Sequence, residues 1–414
     1  MCARTANECG KKSILFVINT MGVGGGEKAL LELFRCMDPE RYEISLFVLT
    51  GQGELLKEIP EYVHVLNKKY APVSVLDNPG KTRLFTTVVK AMLVRGTIFR
   101  RMGYLLSNLR DMIRKKEIRK DKLMWKILSD GAQRLEKEYD LAVAYLEGGA
   151  AYYVASHVKA KKKAAFIHIN YTQAGYSRRL DEDSYLRFDR LFTVSESVKE
   201  VFLSVYPECA DRTVVLYNLL DRGKIIRRSM EEGGFPDDYD GFRILTVGRL
   251  VPQKGLHLAV TAMKILKVSG KSFRWYVLGE GEMRKKLEEQ IRNLGLEEDF
   301  ILLGTVENPY PYYAQCDLYV HTACFEGKSI AIEEAQILGC AVLVTDYDGV
   351  REQVEDGVDG IICKPEASLL AQEILELAGS KNKLLEYGLA ASRRKQTDND
   401  KEARKLMDLL GDVC

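Results

Sequence analysis

No run of about 18 apolar residues occurs anywhere in this 414-residue chain, so no segment has the length a membrane-spanning helix needs. Near the N-terminus, Ile14 to Ile18 follow Lys11 and Lys12 but are too few for the core of a secretion signal. Nine cysteines, an odd number scattered from Cys2 to Cys414, include no C-x-x-C pair. They read as reduced thiols rather than a disulfide framework or a zinc site. Charge of one sign is lacking too: 61 Lys and Arg stand against 59 Asp and Glu, and a balance of +2 gives no global attraction to nucleic acid. Fixed-period repeats and low-complexity stretches are missing. These absences point to a cytoplasmic protein, peripheral at most on the inner face of the cell membrane, with no nucleic-acid partner.

What is present is ordinary for a globular protein: 46% hydrophobic and 29% charged residues, in a length that suits two domains of roughly 200 residues and a cleft between them. Short β-branched or aromatic runs alternate with helical stretches. In the first half they are Ser13 to Asn19, Ile44 to Leu49, Leu141 to Leu146 and Ala164 to Ile169. In the second they are Arg243 to Val247, Arg274 to Leu278, Phe300 to Leu303, Leu318 to Val320, Ala341 to Thr345 and Gly360 to Cys363. This is βαβ grammar, so the fold class is α/β with mostly parallel, doubly wound sheets. The Gly-, Pro- and acid-rich stretch Met230 to Gly241 reads as the linker, giving an N-terminal domain over 1–225 and a C-terminal domain over 241–389. The tail, 390–414, is helical in pattern and is expected to pack back on the N-terminal lobe. One segment breaks the alternation: Lys81 to Glu138 has no strand pattern and holds sixteen Lys or Arg against six Asp or Glu. Apolar clusters there lie between Arg95, Arg100, Arg101, Arg110 and Arg114, so 81–138 reads as a basic helical insertion suited to an anionic membrane surface.

Four features carry chemistry. Met21 to Lys28, reading MGVGGGEK, follows the first strand and opens a helix, where Gly24, Gly25 and Gly26 let backbone N–H groups approach a phosphate. The third glycine of the dinucleotide fingerprint is replaced by Glu27, which argues against that cofactor. Gly248 to Gly255, reading GRLVPQKG, brings Arg249 and Lys254 to a strand-to-helix switch, a fork and a point charge suited to a diphosphate. Glu326 and Glu334 stand eight positions apart, the second on a helical face with Ala331, Ala335 and Leu338, where something polar must meet it. His168 closes a strand in Phe166 to Asn170; His64, His157, His257 and His321 receive no role. Gly327-Lys328-Ser329 ends like a P-loop, but Thr322 stands where its first glycine belongs. Asp346 and Asp348 lack further metal ligands, so no metal site is expected. No Ser, His and Asp sit in a nucleophile-elbow context and no Cys-His pairing stands out.

Together these residues resemble the retaining, nucleotide-sugar-dependent family-4 glycosyltransferases, also called group 1 glycosyl transferases. The resemblance runs through GRLVPQKG, Leu278 to Leu287, Ile301 to Asn308, the Glu326/Glu334 frame and Thr345 to Ile362. It continues more loosely through GGGEK, FIHIN, Thr193 to Val198 and Tyr217 to Asp221. It implies the GT-B fold, two Rossmann-like doubly wound lobes facing an interdomain cleft. It also implies transfer of a hexosyl or N-acetylhexosaminyl group with retained configuration from a UDP-sugar, or secondly a GDP-sugar, without cofactor or metal. The acceptor would be a cell-surface polysaccharide, an oligosaccharide or a lipid-linked glycan. On this resemblance Arg249 and Lys254 hold the pyrophosphate, helped by amides near Ser329 and Ile330 and by Gly24 to Gly26. Glu334 takes the ribose hydroxyls, Glu326 and His168 face the donor sugar, and the base lies near Thr305, Val306 and Glu307.

The chain departs from the family pattern at Gly327-Lys328-Ser329, where an aromatic and a second glycine are usual. Ser329 thus adds a candidate helix N-cap. His321-Thr322 stands for Pro-Ser, and FIHIN ends in Asn170 rather than an acid. Two rival readings remain: a catalytically silent nucleotide-sugar-binding scaffold or partner subunit, and an epimerase of the same shape.

Overall fold

The computed structural model describes residues 10–114, 116, 119–395 and 397–411; Cys2, Cys414 and the side chain of Arg95 lie outside the described residues. It holds two parallel sheets. The first is built from β1 (Lys12–Ile18), β2 (Tyr42–Val48), β3 (Val63–Val65), β4 (Glu138–Ala144), β5 (Lys159–Ile167), β6 (Arg190–Thr193) and β7 (Thr213–Val215), in the order β3-β2-β1-β4-β5-β6-β7. The second is built from β8 (Phe242–Val247), β9 (Phe273–Leu278), β10 (Phe300–Gly304), β11 (Leu318–His321), β12 (Val342–Thr345) and β13 (Ile361–Cys363), in the order β10-β9-β8-β11-β12-β13. Central strands such as β1 and β12 are buried almost without interruption, because helices cover both faces of a parallel sheet. Strand order reverses between β1 and β4 and between β8 and β11, and ligands of such sheets bind outside the carboxyl ends at these switch points.

Three strands of the first sheet escape the sequence pattern. β3 and β7 have three residues each and β6 four, and none coincides with a run read from the sequence. All six strands of the second sheet match the runs read from the sequence.

The chain divides into two compact units, Met1–Leu220 with Thr397–Cys414, and Asp221–Gln396. The division falls before the glycine-rich stretch expected to be the linker. Met230 to Gly241 instead belongs to the second unit and is tied to β9. Asp237 accepts hydrogen bonds from the Tyr276 hydroxyl at 2.8 and 2.9 Å and pairs with Arg274 at 3.0 Å, while Phe235 lies 4.3 Å from the Tyr276 ring. Its acids and glycines mark a strap bound to the sheet. At the actual boundary Asp221 caps the helix Arg222–Ser229 by accepting the Lys224 N–H at 2.8 Å. The tail helix Asn399–Met407 places Ala403 and Leu406 in the core of the first unit with Ile14, Leu141 and Leu216. Glu402, nearly buried, accepts the Tyr217 N–H at 2.9 Å and pairs with Lys405 at 2.7 Å.

The basic insertion is helical: Asn78–Leu93, Thr97–Arg100, Met102–Arg114 and Lys120–Gly131. Arg101 pairs with Asp130 and, at 2.9 Å, with Glu182, while Lys126 reaches Glu182 at 2.9 Å. The two bridges to Glu182 tie the insertion to the rest of the first unit, and the Asp130 bridge joins two of its own helices.

In the second core, Thr246 donates to the Val320 carbonyl at 2.6 Å and accepts the indole N–H of fully buried Trp275 at 3.0 Å. Thr246→Val keeps the shape and strands both partners, so the urea midpoint of this unit should fall by the equivalent of about 1–3 kcal/mol with an unchanged slope. An unmoved midpoint would show that the indole finds another acceptor.

Candidate functional site

At the β8/β11 switch point two loops meet, Gly248 to Gly255 after β8 and Thr322 to Ser329 after β11. They are stitched together by Thr322 Oγ1 donating to the Lys254 carbonyl at 2.8 Å and by the Cys324 N–H donating to the Gln253 carbonyl at 2.8 Å. Gly255 makes this approach feasible: its φ is +60°, and a Cβ there would lie 2.1 Å from the Thr322 carbonyl oxygen.

The stitched loops bring Lys254 and Glu326 into direct contact. The Lys254 ammonium pairs with Glu326 Oε1, and Gln253 Nε2 donates to Glu326 Oε2 at 3.2 Å and to the Phe325 carbonyl at 2.9 Å. His321 Nε2 stands 3.5 Å from Glu326 Oε1, and the Tyr319 hydroxyl stands 3.1 Å from His321 Nδ1. Burial alone would push the Glu326 carboxyl up, but the Lys254 charge and the nearby His321 ring outweigh it and hold it down at about 2. Burial, reinforced by the Lys254 charge, pushes His321 below its usual 6.5, so the ring is neutral at pH 7. The result is an ionised carboxylate between a fixed cation and a neutral imidazole. His321 and Gln253 were missed as site residues, although both leave a signal. His321 closes β11 five positions before Glu326, and Gln253 precedes Lys254 in the GRLVPQKG loop.

Other expected residues fall elsewhere in the second unit. Arg249 follows Gly248 at the exposed start of its loop; Val306 is half-buried and Glu307 exposed, both in the loop after β10. Glu334, 2% exposed on the helix Ile330–Ile337, is met by a tyrosine pair: Tyr310 donates to Oε1 at 3.1 Å and Tyr313 to Oε2 at 3.2 Å. That pair supplies the polar partner which burial demands. Ser329 departs from expectation. Its hydroxyl makes no cap bond, and its N–H donates to Gln353 Oε1 at 2.8 Å while Gln353 Nε2 returns a bond to the Ser329 carbonyl at 2.8 Å. A side chain 24 positions downstream does the capping, which leaves Ile330 as the amide of the pair not committed to Gln353. Asp346, weighed above as a metal ligand, pairs with Arg351 at 2.5 Å.

In the first unit the glycine loop and His168 are neighbours. A Cβ on Gly26 would lie 3.8 Å from His168 Nδ1 and 3.3 Å from a Leu146 methyl. Gly24 caps the helix Gly25–Arg35, whose first turn is faced by its own Glu27; the Thr20 hydroxyl donates to that carboxylate at 3.2 Å. The His168 backbone N–H donates to Glu147 Oε2 at 3.1 Å, its ring stacks 5.7 Å from Phe166, and its buried Nε2 has no hydrogen-bond partner among the described residues. Burial lowers its pKa against the opposing Glu147 charge, so this ring too is neutral and keeps hydrogen-bonding capacity to spare.

Residues 231–394 match the family described as glycosyl transferases group 1. An N-acetylgalactosamine-N,N'-diacetylbacillosaminyl-diphospho-undecaprenol 4-alpha-N-acetylgalactosaminyltransferase from Campylobacter jejuni is 30% identical over 229 residues, 55% of this chain and 61% of that one. The amylovoran biosynthesis glycosyltransferase AmsK of Erwinia amylovora is 28% identical over 179 residues, 41% of this chain and 44% of that one. The chain thus spans about half the length of the curated relatives it matches. Among solved structures, Anabaena HepE in complex with UDP and glucose is similar with a TM-score of 0.67 at 19% identity, over 96% of this chain and 98% of that one. A sucrose-phosphate synthase from Thermosynechococcus elongatus is similar with a TM-score of 0.68 at 13% identity, again over 96% and 98%. The likeness identifies the fold as GT-B.

The Lys254–Glu326 pair sets a pH signature. Because the folded carboxyl titrates below its usual 4.5, the pair stabilises the fold above 4.5, and that contribution is lost as pH falls toward about 2. Lys254→Met strands a nearly buried carboxylate and should cost about 3 kcal/mol at pH 7, a deficit that shrinks below pH 4.5. Urea titrations across that window read it, and a gap that stays constant down to pH 2 would refute the pairing.

Proposed function

We propose, from the match of residues 231–394 to the group 1 glycosyl transferases, that the chain moves a glycosyl group from a nucleoside-diphosphate sugar to a glycan acceptor. The observation that carries this reading is the Lys254 ammonium held beside Glu326 at the second sheet's switch point, where ligands of doubly wound sheets bind. A fixed cation there, with Arg249 in the same loop, offsets the charge that builds on a departing diphosphate without reorganisation at the moment of reaction. In the second unit the proposed roles are Lys254 and Arg249 with the Ile330 amide on the diphosphate, Glu334 on the ribose, Glu326 on the sugar, and Val306 and Glu307 by the base; in the first unit, taken by itself, the Gly24 to Gly26 loop suits a phosphate and His168 a sugar hydroxyl.

Transfer proceeds with retention and without a protein nucleophile. The acceptor hydroxyl attacks the face the diphosphate leaves, forming the new glycosidic bond as the sugar–phosphate bond breaks, and its proton passes to the departing phosphate. The chain's own cations do the electrostatic work, so no metal is required. UDP is the first donor base to test, since it occupies a neighbour of the same fold, and the hexosyl and N-acetylhexosaminyl classes come first. Relatives named for an undecaprenol-linked sugar and for amylovoran support a lipid-linked or polysaccharide acceptor.

A panel of UDP- and GDP-sugars, read by release of nucleoside diphosphate, tests the reading. Slow donor hydrolysis is expected from the unaltered chain. Lys254→Ala and Arg249→Ala should each lower it roughly a hundredfold or more. Glu334→Ala should chiefly weaken nucleoside-diphosphate affinity in calorimetry, and EDTA should leave the rate intact. No release from any donor would sink the enzymatic reading in favour of a silent scaffold, and EDTA inhibition would overturn metal independence.

A further inference from the structure

The basic insertion carries an apolar surface that its own fold leaves uncovered. Helix Met102–Arg114 has two apolar faces. Tyr104 and Met112 turn inward to pack with Leu180, Leu105 and Leu123, and the Tyr104 hydroxyl donates to the Leu180 carbonyl at 2.9 Å. On another face Met102, Leu106, Leu109 and Ile113, spaced four, three and four residues apart, form one stripe along the helix. All four are exposed, Leu106 by 60% and Ile113 by 58%. The preceding helices add Leu93 at 71% and Phe99 at 78%. Eight of the fifteen large hydrophobic residues exposed among the described residues fall between Phe85 and Ile113, which makes this a patch rather than scatter.

Charge identifies what covers it. Between Asn78 and Lys116 the sequence holds ten Lys or Arg and one acid, Asp111. Arg110 and Arg114 are exposed on the flank of the stripe, Lys90 and Arg100 are exposed on the adjoining helices, and Arg101 is spent on Asp130 and Glu182. A second copy of the chain would bring the same cations to the contact and repel. Anionic headgroups neutralise them while the apolar stripe enters the acyl boundary and the arginine stems snorkel outward. No helix of the described residues is long and apolar enough to cross a membrane, so the geometry is that of a helix lying in the surface plane.

We infer that helix Met102–Arg114, with the exposed residues of Asn78–Arg100 beside it, docks the chain on an anionic lipid bilayer. The surface goes beyond the proposed glycosyl transfer and needs no donor to be detected, so either reading can fail while the other stands. Flotation of the full chain with phosphatidylcholine vesicles, with and without phosphatidylglycerol, tests it. Binding is expected only with phosphatidylglycerol and should be released by high salt. Leu106→Ser with Ile113→Ser, and separately Arg110→Glu with Arg114→Glu, should each lower the bound fraction about tenfold or more. The urea midpoint should stay unchanged, because all four side chains are exposed. No binding to phosphatidylglycerol vesicles overturns the proposal, as does equal binding to both vesicle types that ignores the arginine reversals. Self-association in light scattering, lost in the serine variant and accompanied by no vesicle binding, would assign the face to a second copy instead.

Discussion

The contact on which the candidate site of the second unit rests is the ion pair between Lys254 and Glu326, and it is expensive to maintain. Neither side chain has much access to water, so each needs the other and the polar groups around them to stay charged. Gln253 takes the second carboxylate oxygen, Thr322 holds the lysine's own carbonyl, and Gly255 adopts the left-handed turn that lets the two loops touch. Remove the turn and the cation no longer reaches the acid. The site is therefore a property of loop geometry at the reversal of strand order, which a parallel sheet creates between β8 and β11.

The first unit applies the same economy differently. His168 is neutral because burial beside Tyr145 and Phe166 outweighs the Glu147 charge and the Tyr145 backbone that favour its protonated form, and its Nε2 finds no hydrogen-bond partner among the described residues. A neutral ring with spare hydrogen-bonding capacity suits contact with sugar hydroxyls better than with phosphate. The insertion is anchored by Arg101 and Lys126 on the side that faces the unit, so its remaining cations and apolar side chains are left outward. One helix thus serves folding with one face and carries unsatisfied apolar surface on another.

Legibility differed between the two halves for physical reasons. The strands of the second sheet announce themselves as apolar runs bounded by turn residues, whereas β3, β6 and β7 lie in no such run, although β13 is equally short. The linker reading failed because glycine and acid mark straps as well as links: Asp237 is rich in partners that lie 37 and 39 positions away. Ser329 sits where a cap belongs, yet the cap comes from Gln353, a choice made by packing between distant loops. His321 carried no motif, since its importance lies in facing Glu326 and Tyr319 rather than in its neighbours along the chain.

Local patterns in the sequence were enough to determine the α/β class, the two doubly wound sheets and the helical and basic character of the insertion, and they singled out Lys254, Glu326, Glu334 and His168 as candidates. Periodicity and charge are local quantities, and they survive without knowledge of the fold. The tertiary structure decided which of those groups meet: that Lys254 is paired with Glu326, that Glu334 leans on Tyr310 and Tyr313, that the Ser329 amide is already committed, and that the stripe from Met102 to Ile113 is left facing solvent. Such pairings join residues dozens of positions apart, and only the crossovers of a folded sheet bring their loops within a few ångströms.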